Sequence, residues 1–177
     1  MRALATKLLE LAMFGWIVGL GTITIACGGP DSGARIDAAA APRGEEFRPV
    51  AQVVVDRCGS LDCHGSKYRN MRLFGFGSAR LDPAHRPDAP ETTLDESELV
   101  YEAIVALEPD ILRQVVAEGG ERPERLTFVR KGRGAEAHKG GPRIVAGDPA
   151  DACLRSWLAG AVDADVCRSA VPRLAEP

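Results

Sequence analysis

Five cysteines and three histidines constrain this 177-residue chain more than any other feature. Cys58 and Cys63 enclose Gly59-Ser60-Leu61-Asp62, and His64-Gly65 follows directly. Two thiols and an imidazole that close together, bracketed by glycines, require a tight turn that the rest of the fold is built around. Cys27 stands apart, at the end of the one long apolar run. Setting it aside leaves four cysteines and three possible pairings. Proximity favours Cys58–Cys63 and Cys153–Cys167 over the crossed options. The second bridge closes a loop of about 15 residues, worth ~3 kcal/mol by loop-closure entropy. It would pin the C-terminal tail to the last helix.

Arg2 and Lys7 open the chain with positive charge, and Leu11 to Ala26 carries none. That run is shorter than the roughly 20 residues a full membrane span needs. A basic start, a short apolar stretch and a small residue before a cut site form the pattern of an export signal. The run ends Ile23-Thr24-Ile25-Ala26-Cys27, which resembles the lipobox of bacterial lipoproteins. The resemblance implies a signal peptide over 1–26 and a diacylated Cys27 as the new N-terminus. It places the chain at the cell envelope, anchored through its N-terminal lipid. Each buried methylene adds about 0.8 kcal/mol to such an anchor. Gly28 rather than an aspartate follows Cys27, which by the same resemblance favours the outer membrane over the periplasmic face of the inner one.

Residues 27–46 are rich in Gly, Ala and Pro and read as a flexible tether. The globular domain is expected over 47–177. Phe47, Val50, Val53 and Val54 suit an amphipathic helix running to Cys58, with a strand as the alternative for the β-branched triplet Val53-Val54-Val55. Thr93-Leu94-Asp95-Glu96 has capping-box spacing ahead of a helical pattern through Leu107. Pro109 suits the first turn of another helix, which Gly119-Gly120 ends. Arg125 to Val129 reads as a short strand. Asp148-Pro149 starts a further helix whose buried side is Cys153, Leu154, Trp157 and Leu158. The expected fold is mainly α: a small single domain of short helices and long loops, with little strand. Trp157, the only tryptophan outside the leader, is its expected core anchor.

Composition narrows the function. Net charge is -3 and the basic residues are spread along the chain, so no clustered basic face points to nucleic acid. Ser60 and Ser66 lie near His64, yet no oriented base and third group accompany them, so hydrolase chemistry lacks a triad. Asp163 and Asp165 fall short of the six to eight oxygens calcium takes.

The Cys58-x4-Cys63-His64 element resembles the haem-attachment motif of c-type cytochromes, in its four-residue-spacer variant; the commonest form has two residues between the cysteines. The resemblance extends to a helix before Cys58, Gly65 after the histidine, His138-Lys139-Gly140-Gly141-Pro142, Gly147-Asp148-Pro149 and the Leu154, Trp157-Leu158 helix. It covers roughly 47–160 and implies a cytochrome c-like fold holding one covalent haem c. Cys58 and Cys63 would form thioethers and His64 would bind iron. His138, in a Gly-rich loop far along the chain, is the expected sixth ligand, with Met71 the alternative; His85 sits in a proline-rich loop. Bis-His ligation lowers the potential relative to His/Met. Lys131, Arg133, Lys139 and Arg143 would face the propionates, and Glu136 could bond the free nitrogen of His138. The implied role is a membrane-anchored electron carrier serving a redox protein partner, not a catalyst. Two alternatives remain at this stage. One is a haem-free lipoprotein domain stapled by Cys58–Cys63, with a binding or structural role. The other is a zinc site of Cys58, Cys63, His64 and His138.

Overall fold

A computed structural model describes residues 41–86 and 91–171. The export signal, the lipobox around Cys27 and the tether up to residue 40 lie outside the described residues. The described chain is mainly helical, as expected, with no sheet. A 3-10 turn over Gly44–Glu46 leads into α1 (Arg48–Cys58). Then follow α2 (Leu94–Val105), α3 (Pro109–Ala117), α4 (Thr127–Gly132), α5 (Pro149–Leu158) and α6 (Ala164–Ser169). Among the described residues no helix is long and apolar enough to cross a membrane.

Local chemistry sets most of these boundaries. Thr93 accepts from the Glu96 backbone N–H, and the Glu96 carboxylate accepts from the Thr93 N–H, completing the capping box of α2. Asp148 caps α5 through the Asp151 N–H at 2.8 Å, with Pro149 in the first turn. The triplet Val53-Val54-Val55 is helical, because all three valines bury against the packed helices. Burial of a side chain outweighs the small intrinsic preference of β-branched residues for strands.

Two elements differ from the sequence expectation. Residues 125–129 are not a strand: a 3-10 turn over Pro123–Arg125 runs into α4. The free Thr127 N–H at its start is met from another segment, by Glu108 Oε2 at 2.6 Å, and the Thr127 hydroxyl donates to Glu108 Oε1 at 2.8 Å. The second difference is α6, six residues long and too short for a sequence period to show. Asp163 caps it by accepting from the Asp165 and Val166 N–H groups, so those aspartates serve a helix end.

α1 is the central element, packed against α2, α5 and α6. Phe47, Tyr101 and Trp157 meet at its N-terminal end. The Phe47 ring lies 5.2 Å from Tyr101, edge-on, and 5.1 Å from Trp157. The packed body begins before Phe47: Ala41 is buried, the Trp157 indole N–H donates to the Pro42 carbonyl at 2.9 Å, and the Tyr101 hydroxyl reaches the Ala41 carbonyl. Cys153 and Cys167 are bonded, joining α5 to α6. Replacing both with serine is expected to lower unfolding free energy by about 3 kcal/mol, read by denaturant titration. A loss under 1 kcal/mol would show that α6 holds its place without the bridge.

Candidate functional site

The turn after α1 is shaped by close backbone approach. His64 N–H donates to the Cys58 carbonyl at 3.0 Å, and Cys63 and Gly65 N–H both donate to the Ser60 carbonyl. A Cβ on Gly65 would lie 2.2 Å from the Gly59 carbonyl oxygen and 2.6 Å from Ser78 Oγ. Only glycine fits there. Ser78, fully buried, donates to the Gly59 carbonyl and lies 3.2 Å from that of Leu73, tying the turn to the following loop. Gly65→Ala is expected to cost about 1–3 kcal/mol as an overpacked site. Thermal unfolding checks this, and an unchanged midpoint would mean the turn can open without loss.

His64 points into a cavity of about 400 Å³. Its walls come from five segments: Val54 and Cys58 of α1, Ile104 of α2, Phe128 and Gly132 of α4, Ile144, and Leu154 of α5. Tyr68, Arg69, Asn70, Leu107 and Lys131 are the more polar or exposed part of the lining. A largely apolar pocket with a few convergent polar groups, in the size range of small-molecule and cofactor sites, is the default candidate for function.

His138 enters the same cavity from the loop between α4 and α5. The two imidazoles lie nearly parallel, at 14°, with centroids 6.0 Å apart. That separation is too wide for ring-on-ring contact. The spacing and the parallel planes would allow both imidazoles to hold one group bound between them. Each ring is held in one tautomer. His64 Nδ1 lies 2.8 Å from the Met71 carbonyl and His138 Nδ1 3.3 Å from the Gly141 carbonyl. A carbonyl can only accept, so each Nδ1 carries the proton and each Nε2 keeps its lone pair. Backbone bonds of this kind orient metal-ligating histidines in general. Burial, the largest cause, holds the His64 imidazole below its ordinary value of 6.5; the Met71 bond opposes this, and the nearby His138, Arg69 and Lys131 reinforce it. The neutral, coordinating form is thereby favoured. Gly140 lies against the His138 ring, where a Cβ would come within 2.7 Å of Cε1.

The remaining sequence candidates are placed as follows. Cys58 lines the cavity, and Cys63 is half-buried in the adjoining turn. Both are free thiols, so the Cys58–Cys63 bridge of the stapled alternative is not formed. Burial pushes the Cys58 thiol up to about 11, against the opposing charge of Arg143. Among the described residues no group of three or more His, Cys, Asp or Glu side chains could hold a metal ion. The Cys58, Cys63, His64 and His138 zinc set is therefore not assembled. Met71 lines the cavity, but its carbonyl is bonded to His64, which puts it beside that ring; His138 is the ring that faces His64. His85 is not in the cavity and lies 4.0 Å from Asp82. Glu136 pairs with Arg130 at 2.9 Å and Lys131 at 3.5 Å, leaving Gly141 as the partner of His138. Arg133 is committed to Asp151, whose carboxylate is buried. Trp157 lines no part of the cavity; Leu154, one turn earlier on α5, does. Arg69, Asn70, Phe128 and Ile144 also line the site. Each looks in sequence like an ordinary loop or core residue.

No family model, no curated protein and no solved structure matches this chain.

Proposed function

We propose that this protein is a monohaem c-type cytochrome-like electron carrier, held at the cell envelope by lipid on Cys27. One observation carries the reading: two parallel imidazoles 6.0 Å apart across an apolar cavity, both with Nδ1 held by backbone carbonyls, beside Cys58. The residues fit the group. The walls are apolar, the two Nε2 atoms are free of hydrogen bonds among the described residues, and two unbonded thiols lie next to His64. Cys58 and Cys63 would hold haem by thioethers, His64 and His138 would bind its iron, and Arg69 and Lys131 at the rim would meet its carboxylates. Haem c, when bound, supplies a one-electron couple.

The chain's own part is to hold and tune. The Met71 and Gly141 carbonyls fix both imidazoles in the coordinating tautomer. Val54, Ile104, Phe128, Ile144 and Leu154 exclude water, which favours the form of lower charge. His64 and His138 would both hold the group, which fits a carrier rather than a catalyst.

Ligand replacement tests the reading. His138→Ala is expected to change the visible spectrum of the purified protein from a low-spin to a high-spin pattern. His138→Met is expected to restore the low-spin pattern and raise the reduction potential. A spectrum indifferent to both substitutions would remove His138 from the site.

A further inference from the structure

We propose that Arg130 is the positioning residue for His138, the side chain that fixes the loop between α4 and α5 so that the second imidazole stands across the cavity from His64. The proposal rests on the electron-carrier reading and deepens it.

The two imidazoles are held differently. His64 follows a turn fastened to α1: its own N–H donates to the Cys58 carbonyl at 3.0 Å, and Ser78 donates to the Gly59 carbonyl. Its ring is bonded to the Met71 carbonyl, seven residues away. The His138 ring is bonded within its own loop, to the Gly141 carbonyl three residues on. That bond orients the ring against the loop. It does not fix the loop against the cavity, so other groups must.

Arg130 does this at the start of the loop. It lies on α4 and is not part of the cavity wall. Its Nη1 donates to the Glu124 and Arg125 carbonyls at 3.0 and 2.6 Å. Nη2 donates to the Thr127 hydroxyl at 2.8 Å, and Nε to Glu136 Oε2 at 2.9 Å. The Arg130 carbonyl also accepts from the Ala135 and Glu136 N–H groups, at 2.9 and 3.3 Å. Side chain and main chain of Glu136, two residues before His138, are therefore both tied to Arg130. The Thr127 hydroxyl passes the line on by donating to Glu108.

The side chains of Arg130 and Glu136 are each about a third exposed, so charge attraction by itself is weak. What Arg130 adds is a planar fork that serves a carboxylate, a hydroxyl and two carbonyls at once. The neighbouring Lys131 reaches Glu136 at 3.5 Å as a single flexible charge. Arg133 is committed to Asp151 on α5. The far end of the loop is closed separately, where the Gly132 carbonyl accepts from the Arg143 and Ile144 N–H groups.

Cyanide is titrated into the oxidised full-chain protein as a competitor for the place His138 takes, followed in the visible spectrum. Amide hydrogen exchange and a haemochrome spectrum are read on the same preparation. Arg130→Gln is expected to lower the cyanide Kd by about tenfold or more. It is also expected to speed exchange over 134–141 by about tenfold or more, with 58–65 unchanged. Glu136→Gln leaves the bonds of Arg130 to Glu124, Arg125 and Thr127 in place, and should move both readings in the same direction by a smaller factor. In a His138→Ala background, Arg130→Gln should leave the cyanide Kd unchanged, because a residue that acts through His138 has nothing left to act on. An effect of equal size in that background overturns the proposal. So does wild-type exchange over 134–141 in both variants, or faster exchange spread evenly along the chain, which would be a role in the fold alone. A missing haem band defeats the electron-carrier reading, and the exchange measurement still decides whether Arg130 holds the loop.

Discussion

Trp157→Ala is expected to destabilise the protein by about 3–5 kcal/mol, the range for truncating a buried large aromatic. The indole is fully buried and contacts Phe47 and Tyr101, with ring centroids at 5.1 and 6.3 Å. Its loss removes a ring from a cluster in which each member packs on the other two. It also removes the only indole N–H in the described chain, which holds the Pro42 carbonyl at 2.9 Å. Small domains have about 5–15 kcal/mol in total, so the variant should unfold at markedly lower denaturant concentration. Trp157→Phe separates the two contributions. It keeps most of the packing and loses the hydrogen bond, so a loss nearer 1 kcal/mol is expected, together with faster amide exchange around residues 41–43. Equal losses in the two variants would mean that the hydrogen bond, not the ring, is what matters.

The second large effect belongs to Glu96. Its carboxylate is almost fully buried, as is the Arg80 guanidinium that binds it in two places, Nε to Oε1 at 2.8 Å and Nη2 to Oε2 at 2.9 Å. The same carboxylate accepts from the Leu81 and Thr93 N–H groups, both at 3.0 Å. One side chain thus joins the Gly-rich loop after the Cys-His turn to the start of α2. Glu96→Gln keeps the shape and removes the charge paired with the Arg80 guanidinium, which also donates to the Arg86 and Glu91 carbonyls. Breaking one partner of such a pair costs about 3–5 kcal/mol. The pH dependence has a definite sign. Burial alone would raise the Glu96 carboxyl, but the Arg80 pair and the two N–H donors outweigh it and hold the group below its ordinary 4.5. A carboxylate depressed in the folded state adds stability that is fully present above the ordinary value and is lost as pH falls through the folded one. The gap in stability between wild type and Glu96→Gln should therefore be constant from neutral pH down to about 5 and narrow below about 4.5. A gap that stays constant down to pH 3 would contradict the assignment.

Helix starts were the most legible part of the fold. Thr93, Pro109 and Asp148-Pro149 each act through groups within a few residues, so local sequence suffices to find them. The elements that escaped depend on distant partners. α4 begins where Glu108, from another segment, meets the Thr127 N–H, and its Leu126, Phe128 and Val129 pattern alone suits a strand equally well. α6 has only six residues, too few for a period to show. The packing of Ala41 and Pro42 into the body rests on backbone carbonyls that receive Tyr101 and Trp157, and side-chain patterning carries no trace of that.

The candidate site divides in the same way. Cys58, Cys63 and His64 stand out because they are adjacent in sequence. His138 could be singled out because the chain has only three histidines. The apolar lining could not, since Val54, Ile104, Phe128, Ile144 and Leu154 come from segments far apart and each reads as core. Ser78 likewise has no sequence signal, although it fastens the turn through the Gly59 carbonyl.

The most direct test of the central claim is a pyridine haemochrome spectrum of the full chain, exported from a host competent in c-type maturation and extracted with acid–acetone. Covalent attachment predicts a c-type α band that survives extraction and is altered or lost in Cys63→Ser. A colourless protein from that host, with Cys58 and Cys63 both unmodified, would contradict the account. The cavity between His64 and His138 would then belong to a haem-free binding protein.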